Sequence, residues 1–408
     1  MKTDQPTPLL LFFASRQIGG GEAYFINLGL AAIKAGRRCV VVDYADGYVA
    51  SRIPGAEHIE YSDEFGAEFL LPCEAFIPVG AVIFLGEMLR LSPASKVLFV
   101  SIHHNHCLEL GNWAWFLRHL KPRTVGWLWP MLEPMRNRSI RRLFTEISLR
   151  GGLVYCAPFQ RDFDEAYLKQ TIHAEVVAIP VRERVIDAPM SAADGKAVVW
   201  VSRLAKEKAA IVYELIQELK ASNCMRKLIV IGDGPFLQDI RERAAVAGVE
   251  LETPGVISSD ELDVYLKQNA MLCVGVGTAS IEMAMAGLPT LVARLPGNSE
   301  GPYIWFHHMR PGDTVMTTGS KGTTLSLSEA LACLDGKEQR AKISDECKDA
   351  ARHRHSPAAA WRALSEALAN TELSVADATA LSQMSQQPFR FIRQLKLKIR
   401  LMCSRLNV

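Results

Sequence analysis

The stretch GTASIEMAMAGLP, Gly277 to Pro289, follows the apolar run MLCVGV, Met271 to Val276. An apolar run that ends in glycine and passes into a helix-forming segment reads as a buried parallel strand joined to the helix after it. Glu282 is the one carboxylate in the stretch. It has two readings. An acid at a helix start is favourable through the helix dipole alone, by about 0.3–1 kcal/mol. A carboxylate beside a glycine turn can also accept two hydrogen bonds from a vicinal diol. Gly275 and Gly277 leave no side chain in the way of a ligand, and N–H groups from Thr278 to Ser280 can form an anion-binding nest.

Outward from this junction the same rhythm recurs. Strand-like runs are LLLFFA (9–14), CVVVDY (39–44), AVIFLG (81–86), KVLFVSI (96–102), TVGWLW (124–129), LVYCA (153–157) and VVAIP (176–180). They are apolar throughout, as parallel strands covered on both faces must be. A polar break at 182–196 is followed by AVVWVS (197–202), KLIVIG (227–232), MLCVGV and PTLVA (289–293), each leading to or from a helical segment. Two α/β halves joined near residue 190 are expected. A late helix over 356–369 has a Ser N-cap and a Pro in its first turn.

Bulk composition limits the function classes. The chain has 408 residues, 49% hydrophobic and 22% charged, with a formal net charge of +2. That length exceeds one ordinary core, and that charge excludes a polycation, so any basic partner site is local. Nine scattered cysteines without a C-x-x-C pair indicate a reducing compartment, with neither disulfides nor a zinc site. LLLFFA leads straight into the glycine run and reads as a strand. No apolar run reaches the roughly 18 residues of a membrane span. A cytoplasmic protein is expected.

Two further junctions lie upstream of the opening one. In VSRLAKEK (201–208), Arg203 and Lys208 follow a strand directly. A guanidinium fork and a point charge suit a diphosphate, although alone such a pair is usually a solvated loop. In VIGDGP (230–235), Gly232, Asp233 and Gly234 form a tight turn that exposes backbone N–H groups, and Pro235 suits a first helical turn. Alone this is a plain strand-to-helix turn. In order, SRLAKEKA, GDGP and IEMAMAGLP, with GGGEAYFINLGLAAIKAGR (19–37) ahead of them, resemble the motifs of the retaining GT-B glycosyltransferases called family 4 or group 1. The resemblance covers about residues 8–370.

The resemblance implies a GT-B fold: two Rossmann-like domains facing each other across a cleft, with a C-terminal helix crossing back to the N-domain. The expected boundaries are 1–185 for an acceptor-side domain, 186–370 for a nucleotide-sugar-binding domain and 371–408 for a linker and basic tail. It implies that Arg203 and Lys208 hold the donor diphosphate and that Glu282 binds the ribose hydroxyls. Gly20 and Gly21 lie in a loop facing the phosphates, and His103, with His104 second, lies near the donor sugar. Gly232, Asp233, Gly277, Thr278 and Ser280 complete the donor site. The nucleotide-sugar is a substrate, and neither a cofactor nor a metal is implied. Same-fold alternatives are a nucleotide-sugar 2-epimerase and a non-catalytic subunit that binds a partner transferase.

The chain departs from the family in places. The acid expected eight positions before Glu282 is Val274, inside the strand, and the loop between strand and helix is short. Ser202 and Ala209 replace two glycines of the phosphate loop, and 294–313 follows no family continuation. On the acceptor side, Arg118 to Arg150 is locally basic, and Ile140, Leu143, Phe144 and Ile147 have helical spacing. This is either a packed helix with a solvated basic face or a surface that approaches a lipid phosphate. The tail, 388–408, has six basic residues, no acid and helically spaced apolar residues. It fits an interfacial helix on an anionic membrane. A protein could use the same feature, whereas nucleic acid finds no stacking platform there. A peripheral location on the inner face of the cell membrane is the resulting expectation.

Overall fold

The computed structural model describes residues 7–16, 19–102, 129–182, 197–222, 226–294, 302–314 and 323–386. Two compact units are present. The first contains β1 (Leu9–Phe12), α1 (Gly20–Lys34), β2 (Cys39–Asp43), β3 (Glu57–Glu60), β4 (Ala67–Phe69), β5 (Glu74–Pro78), β6 (Leu89–Leu91), β7 (Lys96–Ser101), α2 (Trp129–Leu149), β8 (Leu153–Tyr155), α3 (Pro158–Leu168) from Gln160 onward, and β9 (Glu175–Val176). Seven of these strands form one sheet in the order β3-β2-β1-β5-β7-β8-β9, all parallel, and β4 pairs with β6 apart from it. β1, β2 and the middle of β5 are buried without a break. Continuously apolar strands are what a sheet covered on both faces requires.

The second unit restarts the pattern with β10 (Ala197–Val201), α4 (Lys206–Ala221), β11 (Leu228–Ile231), α5 (Leu237–Ala247), β12 (Leu251–Gly255), α6 (Ser259–Asn269), β13 (Ala270–Gly275), α7 (Thr278–Met285), β14 (Thr290–Ala293) and β15 (Tyr303–Trp305). Its sheet runs β12-β11-β10-β13-β14-β15, with β15 antiparallel at the edge. Trp200, Leu215, Leu272, Ile281 and Leu291 are fully buried at its core. Each such side chain contributes about 1.5–3 kcal/mol. The helices α8 (Leu327–Cys333) and α9 (Lys337–His355) follow. Ser326 and Glu329 close a reciprocal capping box on α8.

The chain then returns to the first unit. Within α10 (Pro357–Asn370), residues from Trp361 onward belong to that unit, as does α11 (Val375–Gln386). Val97 N donates to Leu373 O (2.9 Å), and Arg150 pairs with Asp377 (3.1 Å). Leu373, Val375, Ala378 and Leu381 join the first core. Residues 371–386, read from the sequence as the start of a linker, thus form a buried connection and a packed helix. The basic tail at 388–408 lies outside the described residues.

Three strand expectations are corrected. AVIFLG (81–86) is not a strand: Val79–Phe84 is a 3-10 segment, and the strand is EAFIP, ending at Pro78. An apolar run alone does not separate strand from helix. Trp129, placed in a strand, opens α2, and 124–128 lie outside the described residues. VVAIP contributes only Val176 to β9. The stripe Ile140, Leu143, Phe144 and Ile147 is buried, so it packs α2 onto the first core.

Candidate donor-binding edge of the second unit

Strand register brings the three glycine-punctuated junctions together. Val201 of β10 lies opposite Ile231 of β11, and Trp200 lies opposite Val274 of β13. Arg203, Gly232–Asp233 and Gly277 therefore emerge on the same carboxyl edge of the sheet. The chain goes from β10 outward to β11 and β12, then returns to place β13 on the other side of β10. The gap between β10 and β13 is thus the topological switch point, where open α/β sheets bind their ligands.

Two cations flank that point. Arg203 is exposed in the loop after β10, and Lys208 is half-buried in the first turn of α4. Burial lowers the Lys208 pKa, the nearby Arg203 charge lowers it further, and Glu207 opposes both. Among the described residues neither cation makes an ion pair. A cation in a helix's first turn also faces the positive end of the dipole. Both cations at this edge are therefore held without a direct ion-pair partner among the described residues.

The glycines serve several purposes. Gly277 has φ 66°, and a Cβ there would meet nothing within 4 Å, so it leaves open space before α7. Its own N–H donates to Thr314 O (2.7 Å), and its carbonyl accepts the Ser280 hydroxyl (2.7 Å). The nest is thereby confined to the first-turn amides from Thr278 to Ser280, which lack partners within the helix. Gly275, expected to clear a ligand, instead admits the Met283 side chain. A Cβ there would stand 2.5 Å from its Cε.

The GDGP turn is likewise corrected. Gly232 N is taken by Gly255 O (2.8 Å) and Gly234 N by Asp233 Oδ1 (2.7 Å). Its glycines let the turn cross the preceding loop. Cβ atoms at 232 and 234 would stand 2.0 Å from Ser202 O and 2.6 Å from Leu204 O. Leu204 N also donates to Asp233 O (2.9 Å). The turn is a support that fixes the Arg203 loop. Ser202 anchors the end of β10, where its hydroxyl accepts the indole N–H of the buried Trp200 (2.7 Å).

Glu282 is half-buried and is the fifth residue of α7, whose first turn contains no acid. The dipole reading fails, because that effect fades beyond the first turn. Val274 is fully buried within β13. Only Val276 and Gly277 separate β13 from α7, which leaves no room for a second acid between them.

The first unit has its own glycine junction. Gly20 and Gly21 are not loop residues but the start of α1, capped by Gly19. A Cβ at Gly21 would press on the Phe13 ring at 2.9 Å. A residue that sequence reading missed organises this edge. The buried Asp43 carboxylate accepts N–H groups from Ser15, Tyr44, Val49 and Ala50 at 2.8–3.0 Å. Its only sequence signal is an acid closing an apolar strand. His103 and His104 lie outside the described residues. Among the described residues, no group of three or more His, Cys, Asp or Glu side chains could hold a metal, and no helix is long and apolar enough to cross a membrane.

No protein-family model and no curated protein matches the chain. Solved structures do. A glycosyltransferase from Rickettsia africae ESF-5 aligns with TM-score 0.57 and 11% identity, over 90% of this chain and 98% of that one. Anabaena HepE, solved in complex with UDP and glucose, aligns with TM-score 0.53 and 15% identity, over 89% and 100%. The lipopolysaccharide outer core galactosyltransferase WaaB aligns with TM-score 0.51 and 12% identity, over 89% and 99%. With two parallel-sheet units and these neighbours, the fold is that of GT-B glycosyltransferases, two Rossmann-like units in one chain.

Proposed function

We propose that this protein is a glycosyltransferase of the family 4 type. It moves a sugar from a nucleotide-sugar to a cell-surface polysaccharide or lipid-linked glycan, with retention of configuration and without a bound metal. The observation that carries the donor half is Lys208, half-buried beside Arg203 in a first helical turn, with no acid paired to either among the described residues. A diphosphate supplies the ion-pair partner that both cations lack. Arg203 grips two of its oxygens as a fork and Lys208 neutralises it as a point charge.

As the sugar–phosphate bond breaks, its electron pair moves onto the leaving phosphate oxygen. The two cations stabilise that growing charge, the kind of preorganised electrostatics that usually dominates catalysis. The first-turn amides from Thr278 to Ser280 add donors to the same anion. Glu282, beyond the first turn of α7, takes the ribose hydroxyls, and Gly232 and Asp233 hold the Arg203 loop. His103, with His104 second, is assigned to the donor sugar from sequence alone. The basic segment 388–408 meets an anionic membrane surface, which places the enzyme peripherally on the inner face of the cell membrane. HepE, which shares this fold, carries UDP and glucose.

Thermal-shift titration with UDP-, GDP- and TDP-sugars, and with the nucleotides alone, tests the donor site. At least one nucleotide raises the melting temperature. Arg203→Ala and Glu282→Ala each weaken that binding by about ten-fold or more, since a hydrogen bond to a charged group is worth about 1.5–3 kcal/mol. Absence of any shift, or unchanged shifts in both variants, defeats the assignment.

A further inference from the structure

The carboxyl edge of the first sheet carries a built cluster that the donor chemistry does not use. Phe12 of β1 lies opposite Val42 of β2, and Asp43 lies opposite Glu60 of β3. The residues that follow all three strands therefore emerge side by side. The Arg16 guanidinium stacks 3.7 Å over the Tyr44 ring centre, and its Nε donates to both Asp46 oxygens (2.8 and 3.0 Å). The Tyr44 hydroxyl donates to Asp63 Oδ1 (2.8 Å), and the Tyr44 ring meets Tyr61 edge-on at 5.4 Å. Ser15 Oγ donates to Glu22 Oε1 (2.6 Å) beside them. One face and one edge of Arg16 are thus fixed. Among the described residues its two terminal amino groups have no partner.

Two residues beyond Asp63 stands Phe65, 75% exposed. Its turn is rigid: Ser62 and Gly66 exchange backbone hydrogen bonds (2.7 and 3.1 Å). Gly66, at φ 73°, sits where a Cβ would be 2.1 Å from Met88 O. An exposed aromatic ring on a fixed turn, two residues from Asp63, offers an apolar face to a ligand held at the cluster.

We infer that Arg16, Asp46, Asp63 and Phe65 form a binding surface for an uncharged sugar unit of the acceptor glycan. The inference rests on the transferase reading above and names its acceptor class. Charge selects the ligand. Two carboxylates, Asp46 and Asp63, act on the one guanidinium, so a phosphate or uronate meets more like charge than opposite charge. Neutral hydroxyls suit the mixture, because each both donates to a carboxylate and accepts from a guanidinium. The apolar C–H face of a sugar ring covers Phe65. Arg16 and Asp46 are 53% and 68% exposed in the side chain, so both can reach a ligand without unfolding anything.

The test uses saturation-transfer NMR on the full chain with UDP present, which keeps anionic probes off Arg203 and Lys208. Maltose, cellobiose and lactose are compared with glucose 6-phosphate and glucuronate. At least one neutral disaccharide receives saturation, and more than either anionic sugar. Phe65→Ala and Arg16→Gln, both surface changes that should leave the melting temperature in place, each weaken it about ten-fold without altering UDP affinity. No signal from any neutral disaccharide, a preference for the anionic sugars, or equal signal in both variants overturns the inference. A wild-type protein that fails to bind UDP defeats the donor reading instead. The sugar arms, repeated without UDP, then still decide the surface.

Discussion

At the scale of the residue, Lys208 sets function against stability. Its ordinary pKa is 10.5, and burial with the nearby Arg203 charge lowers it in the folded chain. A lysine lowered by folding is charged in both states at neutral pH, so the full cost of holding that charge is present there. The cost fades as pH rises through the folded pKa towards 10.5. Lys208→Met should therefore raise the melting temperature of the ligand-free protein at pH 7, with a gain that shrinks in alkali, while nucleotide binding falls. Calorimetry across pH 7–10 with and without UDP checks this, and a destabilised variant at pH 7 would count against an uncompensated charge. That Arg203 and Lys208 belong to one edge was legible from the sequence, because both directly follow an apolar strand. That Ser202 serves Trp200 was not, since a hydroxyl's partner depends on which side chain the strand turns towards it. Asp43 was illegible for the same reason: its four N–H donors come from three separate segments.

At the scale of the element, the β11-to-α5 turn acts as a brace. Gly232→Ala forces a Cβ to 2.0 Å from Ser202 O at φ 130°. It should cost about 1–3 kcal/mol and also displace Arg203. Gly248→Ala is the control: it caps α5 at φ 71° with nothing within 4 Å. It should cost about 1–2 kcal/mol and leave nucleotide affinity untouched. Melting curves and UDP titrations of the two variants separate the brace from generic backbone strain. An unchanged UDP affinity in Gly232→Ala would remove the brace. Strands were readable where apolar runs ended in a turn signal, as at β10, β11 and β13. β12 and β15 escaped: β12 is only half-buried, and β15 is defined by pairing back onto β14. Glycine roles were half-readable. The sequence marks where a side chain is unwelcome, but only coordinates tell whether a ligand, a methionine or a carbonyl excludes it.

At the scale of the molecule, the first unit is discontinuous, closed by residues from Trp361 onward. Ending the chain at residue 360 removes Leu373, Val375, Ala378 and Leu381 from its core. It also strips the hydrogen bond that Val97 N makes to Leu373 O. Loss of several buried aliphatic side chains exceeds the stability of most domains. A 1–360 truncation should therefore aggregate, whereas a 1–386 truncation should stay folded. Solubility and proteolysis of the pair decide it, and an equally soluble 1–360 product would show that α11 is dispensable. The sequence expects two α/β halves joined near residue 190, the units divide between Val177 and Ala178, and the return reads as a linker, because a short helix with few large apolar residues carries little periodic signal. The same return governs how the protein is born. On a ribosome adding about 5–20 residues per second, some 10–40 s pass between Val177 and Leu381. Throughout that interval the second unit, nearly contiguous, can close on itself, while the half that emerged first waits with an open flank. The segment made first finishes last, and chaperones have most to guard in residues already outside the tunnel.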